Sequence, residues 1–81
     1  MRYVGAVKPS FVKQGIKWIY LEEDPKHTGG VYLYLHREKG DRKKCIFDEW
    51  YEKVEQARKS ARKWGIEDCD WEELGEEDGN S

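Results

Sequence analysis

Eighty-one residues make one domain with room for about one covered sheet face and one helix face, which excludes a two-domain machine. Apolar residues are 37% of the chain against 40% charged, so four Trp, five Tyr and two Phe must supply much of the buried area and the core should be aromatic-rich. The net charge of −2 hides a division: residues 67–81 hold eight of the 17 acidic side chains and neither Lys nor Arg, so all 15 basic groups lie upstream.

No apolar run of signal-peptide length follows Met1, and the longest uninterrupted apolar run is Val31 to Leu35. The expectation is a soluble, cytoplasmic protein with no membrane partner. Cys45 and Cys69 form no CxxC pair, which fits a reducing compartment better than a disulfide scaffold.

In chain order, residues 2–8 contain a short apolar segment read as an edge strand stopped by Pro9. Gly15 opens a β-branched and aromatic run in which Ile16, Trp18 and Tyr20 alternate with Lys17, Ile19 and Leu21, closed by Asp24-Pro25. Residues 22–30 form a loop. Val31 to Arg37 is the clearest strand, with Val31, Leu33 and Leu35 on one face and Tyr32, Tyr34 and His36 on the other. Gly40-Asp41 marks a hairpin turn, and a third strand runs from Lys44 to Trp50 or Tyr51, with Cys45, Phe47 and Tyr51 opposite Ile46, Asp48 and Trp50.

Trp50, Val54, Ala57, Ala61 and Trp64 then recur at spacings of four and three, one apolar stripe at 100° per residue. Gly65 follows where a left-handed cap suits a residue without a Cβ, and Ile66 can fold back on the last turn. Two starts are compatible with the pattern. Asp48 can cap a helix from Glu49, or the helix begins near Lys53 or Val54; the later start is preferred because the strand before it can continue through Tyr51. Beyond it, Trp71 and Leu74 should dock the first part of the tail, and residues 75–81 are expected to be a disordered acidic tail.

Packing the helix on the Val31/Leu33/Leu35 face gives a single α+β domain over residues 1–74: an antiparallel sheet of three or four strands with one C-terminal helix on one face. The other face would carry Tyr32, Tyr34 and His36, joined by Trp18 and Tyr20 and by Phe47 or Tyr51. Tyr32, Tyr34 and His36 are therefore the candidate partner-binding residues, for an unidentified protein or a second copy, because a monomer rarely leaves so much contiguous apolar area in water. The competing reading has the N-terminal segment (Tyr3, Val4, Val7, Phe11) or Trp71 covering them, with His36 an ordinary surface residue at a strand end.

The run from Phe47 to Leu74 resembles a pattern in small uncharacterised bacterial proteins: a strand ending in Asp and Trp, then a helix E-x-x-A-x-x-x-A-x-x-x-aromatic-Gly-aliphatic, an acidic linker and another Trp. Asp48, Trp50, Ala57, Ala61, Trp64, Gly65, Ile66 and Trp71 carry it, with Glu55 one place out of register and Lys53 where a Ser or Thr N-cap is common. The resemblance covers about a third of the chain. It implies strands followed by a helix, and no activity.

Catalytic chemistry has little to stand on. Cys45, Cys69, His27 and His36 match no zinc spacing, Ser10 and Ser60 have no local base, and Gly29-Gly30 lacks the following helix and Lys of a phosphate loop. No cofactor is called for. The expectation is a non-catalytic binding or interaction module. The alternative is a nucleic-acid-binding domain using a basic hairpin (Arg42, Lys43, Lys44) and helix flank (Arg58, Lys59, Arg62, Lys63) beside the tyrosines. Glu38, Asp41, Glu52 and Glu55 among those bases read equally well as an ordinary solvated surface.

Overall fold

The computed structural model describes residues 2–24, 26, 29–39 and 45–74. Strands β1 (Arg2–Ala6), β2 (Trp18–Glu23), β3 (Val31–His36), β4 (Phe47–Tyr51) and β5 (Glu72–Glu73) form one sheet in the order β4-β3-β2-β1-β5, and every pairing is antiparallel. Helix α1 (Val54–Ala61) continues into a 3-10 turn, Arg62–Trp64. The fold is α+β with five strands. The additional strand is β5, two glutamates that alternation cannot reveal and that pair with Tyr3 and Val4. Because β5 lies outside it, β1 is an inner strand and not the edge strand the sequence suggested.

The sheet buries its aliphatic face. Ile19, Leu21, Val31, Leu33 and Leu35 pack with Ala57, Ala61 and Ile66, and Leu33 and Ala57 are wholly withdrawn from water. Burying a side chain such as Leu33 stabilises the fold by roughly 1.5–3 kcal/mol. Ala57 and Ala61 let the helix approach closely, and Gly5 does the same for β1: a Cβ there would stand 2.8 Å from Ile66 Cγ2 and 3.3 Å from the Trp71 ring. Trp71 docks on this helix-side core, as the tail pattern suggested, and Leu74 N–H donates to Arg2 O at 2.9 Å.

The helix takes the later start. Lys53 is extended (φ −132°, ψ 151°), and with no Ser or Thr to cap, Gln56 Oε1 accepts the Lys53 N–H at 3.1 Å instead. Trp50 is consequently a β4 residue and no part of the helical stripe, which begins at Val54. The far end closes in a Schellman arrangement: Gly65 is left-handed (φ +79°), its N–H reaches Arg62 O, and Ile66 N–H reaches Ala61 O. Lys8 clamps this terminus, its backbone N–H on Trp64 O, its ammonium on Gly65 O (2.9 Å) and on Asp70 Oδ2 (2.8 Å). A cation over the last carbonyls also complements the helix dipole.

Strand boundaries moved, and β2 runs on to Glu23, so Glu22 and Glu23 pair with Tyr32 and Val31 and do not belong to the loop expected over residues 22–30. β2 begins at Trp18 because residues 13–16 form a tight turn of their own, with Gln14 (φ 54°) and Gly15 (φ 77°) both left-handed and Ile16 N–H on Lys13 O. β4 begins at Phe47, and the Gly40-Asp41 turn and Lys44 lie outside the described residues.

Candidate functional site

Directly paired residues of an antiparallel sheet share a face, so the register fixes which side chains lie opposite the helix. Tyr32 pairs with Trp50 and Glu22, Tyr34 with Asp48 and Tyr20, and His36 with Trp18. The outer face therefore carries Trp18 and Tyr20 from β2, as expected, but Asp48 and Trp50 from β4. Phe47 and Tyr51 face the helix side: they pair with Leu35 and Val31, and the Tyr51 hydroxyl donates to Glu49 Oε1 and bonds Ser60 Oγ of the helix, both at 2.7 Å. The assignment of Phe47 or Tyr51 to the tyrosine face is thus corrected: the alternation along the third strand is as expected, but alternation alone does not say which of its two sets faces the tyrosines, and the register gives that place to Asp48 and Trp50.

Neither proposed cover lies over this face. The N-terminal segment extends the sheet as β1, and Trp71 packs against Gly5 and Ile66 on the helix side. Exposure nonetheless changes across the outer face. At its centre Tyr20 (3% exposed) and His36 (1%) are buried with ring centroids 4.8 Å apart, so His36 is not the surface residue it was taken for. Lys39 lies 5.0 Å over the Trp18 ring and pairs with Glu72 at 3.8 Å, straddling that side.

Toward β4 the face opens. Tyr32 and Tyr34 are half-buried and stack nearly parallel (5.5 Å, 14°), and Trp50 is 47% exposed. Trp50 is held nevertheless. A Cβ on Gly30 would fall 2.4 Å from the indole, so the ring lies flat on the bare backbone that opens β3. The result is a fixed aromatic shelf of Trp50, Tyr32 and Tyr34 with the exposed Asp48 beside it.

The basic residues assemble less well. The helix packs on the aliphatic face, so Arg58, Lys59, Arg62 and Lys63 stand on the opposite side of the sheet from the tyrosines. Arg58 stacks over Tyr3 (5.8 Å), and Arg62 pairs with Asp68 (3.4 Å) and Glu67 (3.9 Å). Lys59 and Lys63 are exposed. Arg42, Lys43 and Lys44 lie outside the described residues.

Titratable groups add three local facts. Burial, aided by the Asp48 charge, pushes the Cys45 thiol above its ordinary value, which disfavours the thiolate. Burial likewise raises Tyr51. The Lys8 ammonium, with the Glu67 N–H, holds the Asp70 carboxyl low. Among the described residues no group of three or more His, Cys, Asp or Glu side chains could hold a metal ion, and His27 falls outside them. No described helix is long and apolar enough to cross a membrane.

Sequence reasoning put Trp50 on the third strand but on the face away from Tyr32, and Gly30 is the signal that could have shown the face, since a strand-opening glycine leaves a seat for an aromatic ring from the neighbouring strand. No protein-family model, curated protein or solved structure matches the chain.

Proposed function

We propose that this protein is a non-catalytic interaction module presenting the β4 side of its outer sheet face, centred on Trp50 and Tyr32, to another protein. The observation that carries this reading is the posture of Trp50, nearly half in water yet fixed over Gly30. A large ring already held in place gives up little rotamer freedom when a partner covers it, the property that makes Trp and Tyr recurrent anchors of protein interfaces.

The nucleic-acid alternative is less well supported. Stacking rings and phosphate-binding cations must lie on one surface to follow one strand, and the sheet stands between the rings and the helix cations Arg58, Lys59, Arg62 and Lys63. Asp48 beside the shelf would repel a phosphate, while Arg58 and Arg62 are engaged within the protein.

The test is affinity capture with the wild-type protein and with a Trp50→Ala/Tyr32→Ala variant, alongside titration of labelled single-stranded oligonucleotides at low and high salt. The expected result is a polypeptide retained by the wild type, lost from the variant, and bound again when both proteins are purified. Retention indifferent to the two rings, or tight oligonucleotide binding that collapses with salt, would overturn the proposal.

A further inference from the structure

Strand β4 ends the sheet: β3 pairs with one side of it, and no described strand pairs with the other. Four of its five residues are exposed, Phe47 and Trp50 each by about half, and Tyr51 is half-buried. Such an edge presents backbone donors and acceptors in strand spacing, a template for a further strand. Beside it, on the helix side, runs a half-open groove of about 350 Å³ whose apolar walls are Ile16, Leu35, Phe47 and Trp64. Phe47 is 48% exposed on one wall, and the Gln14-Gly15 turn, with Gln14 in a left-handed conformation rare for a residue with a side chain, forms the mouth.

The two sides of this edge ask for different side chains. On the outer side stand the Asp48 carboxylate and the Trp50 indole, and both attract a cation, one by charge and one through its ring face. On the helix side the apolar walls of the groove are rimmed by Lys13, Gln14, Asp48 and Glu49, and Glu49 already accepts the Tyr51 hydroxyl. A strand laid along β4 sends alternate side chains to these two sides. A second copy of β4 fits poorly, because antiparallel self-pairing about the middle of Phe47–Tyr51 sets the Glu49 carboxylates of the two copies directly opposite each other on one face.

We infer that the outer edge of β4 is a strand-addition site for an extended segment of another polypeptide in which cationic residues alternate with apolar ones. The apolar residues enter the Phe47 groove and the cations line up beside Asp48 and Trp50. The site shares Trp50 with the aromatic shelf but uses neither Tyr32 nor Tyr34, so loss of peptide binding in Phe47→Ser and loss of partner capture in Tyr32→Ala are separate outcomes.

The probe is a capped hexapeptide alternating lysine with valine and isoleucine, titrated into the isotopically labelled full chain and followed by amide and indole NMR shifts. The expected shifts concentrate on the Phe47–Tyr51 amides and the Trp64 indole. Phe47→Ser, at an exposed position, weakens binding by about tenfold, and Asp48→Asn by roughly two- to fivefold. Three results would each overturn the inference: no shifts with the lysine peptide, equal binding of a glutamate-for-lysine peptide, or undiminished binding of a peptide N-methylated at alternate backbone amides, which keeps the side chains but cannot join a ladder.

Discussion

Replacing Gly65 by alanine measures how tightly the helix terminus, the N-terminal segment and the acidic strap are locked together. Two penalties coincide there. The backbone sits at φ +79°, where a residue with a Cβ loses roughly 1–2 kcal/mol. The new methyl also lands 2.6 Å from Lys8 Cγ, 2.9 Å from Lys8 Cβ and 3.0 Å from Phe11 Cδ1. Relieving that overlap means swinging Lys8 away, which breaks its ammonium bonds to Gly65 O and Asp70, or shifting the chain, and overpacking of this kind costs about 1–3 kcal/mol. The sum is about 2–5 kcal/mol, and for a domain of this size each kcal/mol lowers the melting temperature by about 4–8 °C. Gly29→Ala is the matched control. Gly29 is also left-handed (φ +92°) but nothing lies within 4 Å of its added Cβ, so it carries the conformational penalty alone. Thermal melts and urea titrations followed by tryptophan fluorescence should show Gly65→Ala losing clearly more than Gly29→Ala. Equal losses would refute the claim that Lys8 closes the helix end.

Other outcomes follow from single contacts. Leu33→Ala, at the wholly buried centre of β3, should lose about 2–5 kcal/mol in urea unfolding. The Lys8 bond depresses the Asp70 pKa, so the stability it contributes is present above the ordinary Asp range and is lost as pH falls through the folded value; in Lys8→Ala the Asp70 carboxyl, followed by carbon NMR, should titrate at higher pH. Tyr51 is raised, so its contribution is complete below the ordinary Tyr range and fades as pH climbs through the folded value; tyrosinate absorbance should show Glu49→Gln lowering this pKa and Ser60→Ala raising it further. A thiol-specific maleimide should modify the exposed Cys69 faster than the half-buried Cys45.

What the sequence made legible was whatever its periodicity repeats. Val31, Leu33 and Leu35 alternate cleanly and do pack under Ala57 and Ala61, and Gly65 does end the helix, because a left-handed cap needs a residue without a Cβ. Trp50 was counted both in the third strand and in the helical stripe because a spacing of four to Val54 mimics a stripe across a chain reversal, and the extended Lys53 leaves it in the strand alone. Phe47 and Tyr51 went to the wrong face for a separate reason, since alternation within one strand does not say which set meets the tyrosines of the next. β5 was invisible for another reason: Glu72 and Glu73 have no strand propensity and pair only because Trp71, anchored on Ile66 and Gly5, delivers them to β1. The candidate surface was half legible, with Tyr32 and Tyr34 on the open face and His36 beneath it, since burial at the middle of a sheet depends on neighbours from three strands.

The two rims of the sheet are unlike. One is a five-residue strand flanked by a hollow, the other a pair of glutamates stitched to Tyr3 and Val4. A building block that could accept a neighbour at both rims would propagate into a fibre, which requires head and tail to match. Among the described residues the two rims do not match, so if a strand adds at β4 as inferred, the far side offers it no second rim of the same kind and addition would not propagate.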